Sequence, residues 1–89
     1  MVERSDEYII GRLIERSRLL IALSDEIPVE TKLQTQPLLK QLEQALAVAP
    51  EEQDTDRIRA TYALLYGELA DYADLEALLS ALKNFVPCL

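Results

Sequence analysis

Carboxylates and tyrosines are the side chains through which this 89-residue chain could do chemistry, because it has no histidine and only one cysteine. Without histidine the usual general base at neutral pH is missing, and Ser-His or Cys-His nucleophilic pairs cannot form. Asp54-Thr55-Asp56 starts as a calcium loop starts. Ile58 and Arg59 then stand where a ligand and the turn glycine are needed, and Leu65 stands in place of the closing glutamate. A di-iron site in a helical bundle needs Glu-x-x-His pairs, which this composition excludes. Gly11 and Gly67 are the only glycines, so no glycine-rich loop can cradle a phosphate. Cys88 has no second thiol or histidine with which to hold a metal, and is expected to be an incidental exposed thiol. No catalytic, cofactor-binding or metal-binding residue is expected and no cofactor is implied. The chain reads as a binding protein and not as an enzyme.

Aromatic and basic residues are the remaining candidates. Tyr62 and Tyr66, four residues apart, share one side of a helix. Tyr62 is expected in the core with its hydroxyl reaching the surface, since a buried tyrosine usually keeps a polar exit. Tyr66, and Tyr72 in the following turn, divide between packing and an exposed recognition patch, because aromatics are enriched at interfaces. Arg57 and Arg59 would complete such a patch, or else stay solvated and pair with Asp54 or Asp56, each pair worth less than about 1 kcal/mol. With Phe85 near the C-terminus, Arg57, Arg59, Tyr66 and Tyr72 form the set of expected partner-binding residues. Arg12, Arg16 and Arg18 suggest contact with a membrane surface or an acidic partner. Glu15 interrupts that basic face, and a solvated face is the simpler reading.

These residues need helices to hold them. Ser5, followed by Asp6 and Glu7, reads as an N-cap, and helix 1 is expected over about 6–24 with Ile10, Leu13, Ile14, Ser17, Leu20 and Ile21 facing the core. Leu19 and Leu23 widen the stripe, so the last two turns are expected to touch two neighbours. Pro28 pushes Ile27 out of the helical region, and Val29 to Thr35 is either a helical turn or a loop, with Val29 and Leu33 tucked under the bundle. Pro37 suits a first helical turn, so helix 2 is expected over 36–49, capped by Thr35 or Gln36, with Leu38, Leu39, Leu42, Ala45, Leu46 and Ala49 inward. Helix 3 is expected over 52–70, loose from Pro50 and firm from Asp56. Ile58, Tyr62, Leu65 and Leu69 make its face, and Ala60 and Ala63 permit close approach. Gly67 is expected near the helix end or where another backbone packs closely. Helix 4 is expected over 73–86, capped by Asp71 or Asp74, with Leu75, Leu78, Leu79, Leu82, Phe85 and Val86 as its stripe and Pro87 closing it. Short linkers make consecutive helices antiparallel, and the fold class is all-α: one four-helix bundle domain spanning 1–89.

Apolar residues are 49% of the chain and charged residues 28%, a profile too hydrophobic for a disordered tail. The acidic start is unlike a signal peptide, so a cytoplasmic location is expected. The longest apolar runs, such as Leu19 to Leu23, are far too short to span a bilayer, and no stable membrane insertion is expected. Net charge is −7. Residues 51–76 alone hold eight acids against two bases, a surface that repels phosphate backbones, and nucleic-acid binding is disfavoured.

From Asp25 onward the order of features resembles the immunity proteins that protect producers of class II bacteriocins. The corresponding parts are the leucine-rich helix 2, the polar loop Pro50 to Thr55, the run Arg57-Ile58-Arg59-Ala60-Thr61-Tyr62 and the final helix Leu75 to Val86. The resemblance implies a small cytosolic antiparallel four-helix bundle that recognises a bacteriocin-bound membrane receptor from the cytoplasmic side, with the last helices carrying specificity. Tyr62 to Pro87, with Tyr66 and Asp71-Tyr72, is similar to one tetratricopeptide-type hairpin, although Leu75 and Leu82 occupy its small-residue positions. That likeness implies an adaptor or a secretion chaperone holding a partner helix in a groove. A third reading is a homodimer in which the helix 4 stripe continues across a two-fold axis. The partner is another protein in each case, with a monomer favoured. An immunity-type protein should fold alone without an exposed apolar groove, whereas a chaperone should expose part of the Leu75 to Val86 stripe.

Overall fold

The computed structural model describes residues 3–86 and consists of four α-helices: α1 (Glu3–Leu23), α2 (Val29–Leu46), α3 (Thr55–Leu69) and α4 (Ala73–Leu82). Two 3₁₀ turns, Pro50–Glu52 and Lys83–Phe85, precede α3 and follow α4. Each helix packs on the next in sequence and α4 closes the ring against α1, which is the four-helix bundle expected from the periodicity. Cross-helix ties show the antiparallel order. Lys32 on α2 reaches Ala22 on α1, while Tyr62 and Tyr66 on α3 reach Leu79 and Glu76 on α4. Cys88 and Pro87 lie outside the described residues.

Apolar side chains from all four helices form one core cluster, including Ile14, Ile21, Leu39, Leu42, Ile58, Leu65, Leu69, Leu79 and Leu82. Most of the α4 stripe is satisfied inside the chain: Leu75, Leu79, Leu82 and Val86 are buried, with Leu78 and Phe85 half-buried. Two polar residues join the core without losing their hydrogen bonds. Ser17 Oγ donates to the Leu13 carbonyl at 2.8 Å and Thr35 Oγ1 to the Thr31 carbonyl at 2.7 Å, one helical turn back in each case.

The greatest departure from the sequence reading is in α2. The helix begins at Val29, and Thr35, Gln36 and Pro37 all lie inside it. Pro28 takes the N-cap position in an extended conformation, and its carbonyl accepts from the Lys32 amide. Tertiary ties explain the early start. Lys32 Nζ donates to the Ala22 carbonyl at 3.2 Å and Gln36 Nε2 to the Arg18 carbonyl at 3.3 Å, clamping the first turns of α2 onto the end of α1. Lys32 also places a positive charge at the negative end of the α1 dipole. Pro37 deprives the Leu33 carbonyl of its helical donor, but both residues are on the exposed face, where water can serve that carbonyl.

Other expectations fail for related reasons. Leu19 and Leu23 are 51% and 78% exposed, so the end of α1 does not use them to touch a second neighbour. Val29 and Leu33, at 68% and 70%, are not tucked under the bundle. Ala49 is exposed beyond the end of α2, and Ala60 and Ala63 face solvent without mediating close approach. Ser5 lies within α1 and not at its cap. The cap of α3 is Asp54, whose carboxylate accepts from the Arg57 amide at 3.2 Å. Tyr72, and neither Asp71 nor Asp74, holds the N-cap position of α4 through its backbone. The reason is packing, since Tyr72 lies against the core beside Leu20, Ile27 and Leu75. Gly67 is exposed near the end of α3 with no atom crowding the place of a Cβ, so no close backbone approach requires it.

Candidate functional site

The densest polar arrangement joins α3 to α4. Tyr62 is buried, and its phenol donates to the Leu79 carbonyl at 2.6 Å, so the hydroxyl points into the α3–α4 contact instead of reaching the surface. Tyr66 stacks on Tyr62 with ring centroids 6.1 Å apart. Its phenol donates to Glu76 Oε2 at 2.9 Å, and Ser80 Oγ donates to the same oxygen at 2.9 Å. Burial pushes the Tyr62 phenol above its ordinary value, with help from Tyr66 and Glu76. The hydrogen bond to Glu76 does the same for Tyr66. A phenol held neutral is a poor base, so the cluster fastens two helices and offers no activated proton acceptor.

The five expected partner-binding residues do not converge. Arg57 is exposed on the first turn of α3 and faces α2, beside Gln41, Gln44 and Val48. Arg59 is half-buried and ion-paired to Asp56 at 2.6 Å, as expected for a helix-surface pair. Tyr66 is half-buried and fixed to Glu76. Tyr72 sits at the end of the bundle formed by Ser24, Ile27 and Leu75, whereas Phe85 lies at the opposite end with Ile10, Leu46 and Val48. Among the described residues no group of three or more His, Cys, Asp or Glu side chains is placed to hold a metal ion.

What the residue-type inventory missed is the outer surface of the first hairpin. Leu19 and Leu23 on α1 and Val29 and Leu33 on α2 are large, apolar and exposed. A signal for two of them was present. Leu19 and Leu23 are each two residues from the buried Ile21, so at roughly 100° per residue they fall on the far side of α1. The outer face of α1 also carries Arg12, stacked over the Tyr8 ring at 5.7 Å, and Arg18, 3.8 Å from Glu15. A shallow groove between α1 and α4 is lined by Arg16, Leu19, Leu20, Asp74, Ala77 and Leu78. No helix among the described residues is long and apolar enough to cross a membrane. No family model, no curated protein and no solved structure matches this chain.

Proposed function

We propose that the chain is a non-catalytic, cytoplasmic protein-binding bundle, and that immunity towards a class II bacteriocin is its specific role. The observation that carries this reading is the closure of most of the α4 stripe within one chain: Leu75, Leu79, Leu82 and Val86 are buried, and Leu78 and Phe85 are half-buried. A chaperone or adaptor waiting for a partner helix would leave more of that stripe open. A bundle that completes its own core instead has its outer helix faces free for recognition. Large apolar residues on those faces, Leu23, Val29 and Leu33 at one hairpin, supply the contact area that protein recognition uses.

The test is survival of bacteriocin-sensitive cells that express the chain, challenged with a panel of class II bacteriocins. Protection against at least one, lost in a folded Leu23→Asp/Leu33→Asp variant, is the expected result. Uniform killing across the panel, with the protein present and folded in the cells, sinks the immunity role.

A second reading is favoured by the groove between α1 and α4. A monomer of the immunity type should lack an exposed apolar groove, and this one, which includes Leu78 of the α4 stripe, supports a partner for the α1–α4 face, either another protein's helix or a second copy, the second copy being marked by concentration-dependent melting.

A further inference from the structure

We infer that the first turns of α2, residues 29–36, form a strap that opens as a unit about Pro37 while the rest of the bundle stays folded. This is independent of the functional readings above. The two halves of α2 are built differently. Residues 38–46 are Leu, Lys, Gln, Glu and Ala, all good helix formers, whereas the first half carries the β-branched Val29, Thr31 and Thr35 and ends at Pro37. Their burial differs in the same way. Leu39, Leu42 and Leu46 belong to the core and Leu38 and Ala45 pack against it, but no residue between Ile27 and Leu38 joins the hydrophobic cluster. Thr35 alone is buried in the strap, and Val29 and Leu33 face solvent.

The junction is weak for two reasons. Pro37 supplies no amide to the Leu33 carbonyl, and its ring crowds that carbonyl. Thr35 Oγ1 donates to the Thr31 carbonyl at 2.7 Å and competes with the ladder bond there, as back-bonded threonines do where helices bend. Two exposed side-chain bonds clasp the strap to α1: Lys32 to the Ala22 carbonyl at 3.2 Å and Gln36 to the Arg18 carbonyl at 3.3 Å. Water replaces such bonds readily, so their net hold is modest. Opening therefore gives up exposed bonds and little apolar burial, the condition under which a segment opens short of global unfolding. Pro37 then stands in the first turn of a shortened helix, where it is favoured. Ile27 and Leu39 stay in the core and tether the strap at both ends. Val29 and Leu33 ride on the strap and keep their helical spacing only while it is closed, so a ligand gripping both selects the closed state.

The experiment is native-state hydrogen exchange read by NMR, at several urea concentrations below the unfolding transition, on the wild type, Pro37→Ala and Ile58→Val. Unwinding the strap removes the acceptors of amides 33–36 and, one turn further on, of amides 38–40. Those amides are expected to share one protection factor, about tenfold or more below that of amides 42–46, with almost no urea dependence because little surface is exposed. Ile58 is buried at the start of α3, which lies against the other end of α2. Its truncation to valine should speed exchange at 42–46 about fivefold and leave the strap unchanged. Pro37→Ala restores the missing bond in the closed state and should slow strap exchange about tenfold or more. Strap amides as protected and as urea-dependent as 42–46 overturn the inference, and so does an Ile58→Val protein in which both groups speed up alike. Protection that rises steadily from 33 to 40 assigns the exchange to fraying from Pro28 and overturns the cooperative strap. Unchanged strap rates in Pro37→Ala overturn the proline's part as the hinge.

Discussion

The phenol of Tyr62 donates to the backbone carbonyl of Leu79 at 2.6 Å, and that same carbonyl accepts from the amide of Lys83 where α4 ends. Both lone pairs of one oxygen are thereby used, one by the helix and one by a side chain from the neighbouring helix. The bond sits at the last regular turn of α4, where carbonyls begin to run out of helical donors. Tyr66 and Glu76 repeat the connection on the outer side of the same helix pair.

Alkaline pH should loosen this contact. Folding raises the pKa of both phenols above the unfolded value of 10.0, chiefly through burial for Tyr62 and through the Glu76 hydrogen bond for Tyr66. A group with a raised folded pKa contributes stability that is complete below its unfolded pKa and is lost as pH rises through the folded one. Denaturant unfolding should therefore show stability falling above about pH 10. Tyr62→Phe should cost about 0.5–1.5 kcal/mol at neutral pH, since Leu79 keeps its Lys83 donor, and should make the alkaline fall shallower. An unchanged alkaline slope in that variant would remove Tyr62 from the explanation.

Pro37→Ala should stabilise the protein. Proline in a helix interior is about 3 kcal/mol worse than alanine, partly offset by the freedom it removes from the unfolded chain. Position 37 is exposed, so the new methyl group meets no packed neighbour, and the Leu33 carbonyl regains a donor. A gain of about 1–3 kcal/mol in thermal or denaturant unfolding is expected. A loss would mean that the early turns of α2 depend on the proline's constraint.

How much of this was legible follows from which forces decide each feature. The core residues Ile14, Ile21, Leu42, Ile58, Leu65 and Leu79 lie at the helical period, and periodicity alone places them. The start of α2 was not legible, because the ties from Lys32 to Ala22 and from Gln36 to Arg18 cross between helices and leave no local mark. Pro37 then misleads, since proline favours a first turn and here sits in the ninth position of the helix. Tyr72 at the cap of α4 is the same lesson: burial against Leu20 and Ile27 outweighs the capping preference of the adjacent aspartates. The expected recognition set dispersed because aromatic character does not say which end of a bundle a residue will occupy.

Asp54→Ala should cost about 0.5–2 kcal/mol by removing the side chain that accepts from the Arg57 amide at the start of α3. Asp54→Asn should cost less, because asparagine caps nearly as well. Chemical denaturation of both variants separates the cap from the loss of a negative charge. Equal losses for Ala and Asn would assign the effect to charge at the helix dipole.

Leu33 and Leu39 test the placement of α2 against the alternative in which its first turns are a loop folded under the bundle. Leu39 has no exposed surface while Leu33 is 70% exposed. Leu39→Ala leaves a cavity in a packed interior and should cost about 2–5 kcal/mol. Leu33→Ala removes a side chain that water already surrounds, and alanine is the best helix former, so its effect should lie within about 0.5 kcal/mol. The two leucines lie on different sides of one helix, so the contrast reports which side of α2 faces the core. If Leu33→Ala proved as costly as Leu39→Ala under denaturant unfolding, Val29 and Leu33 would belong to the core, and the outer apolar face of the first hairpin would not exist.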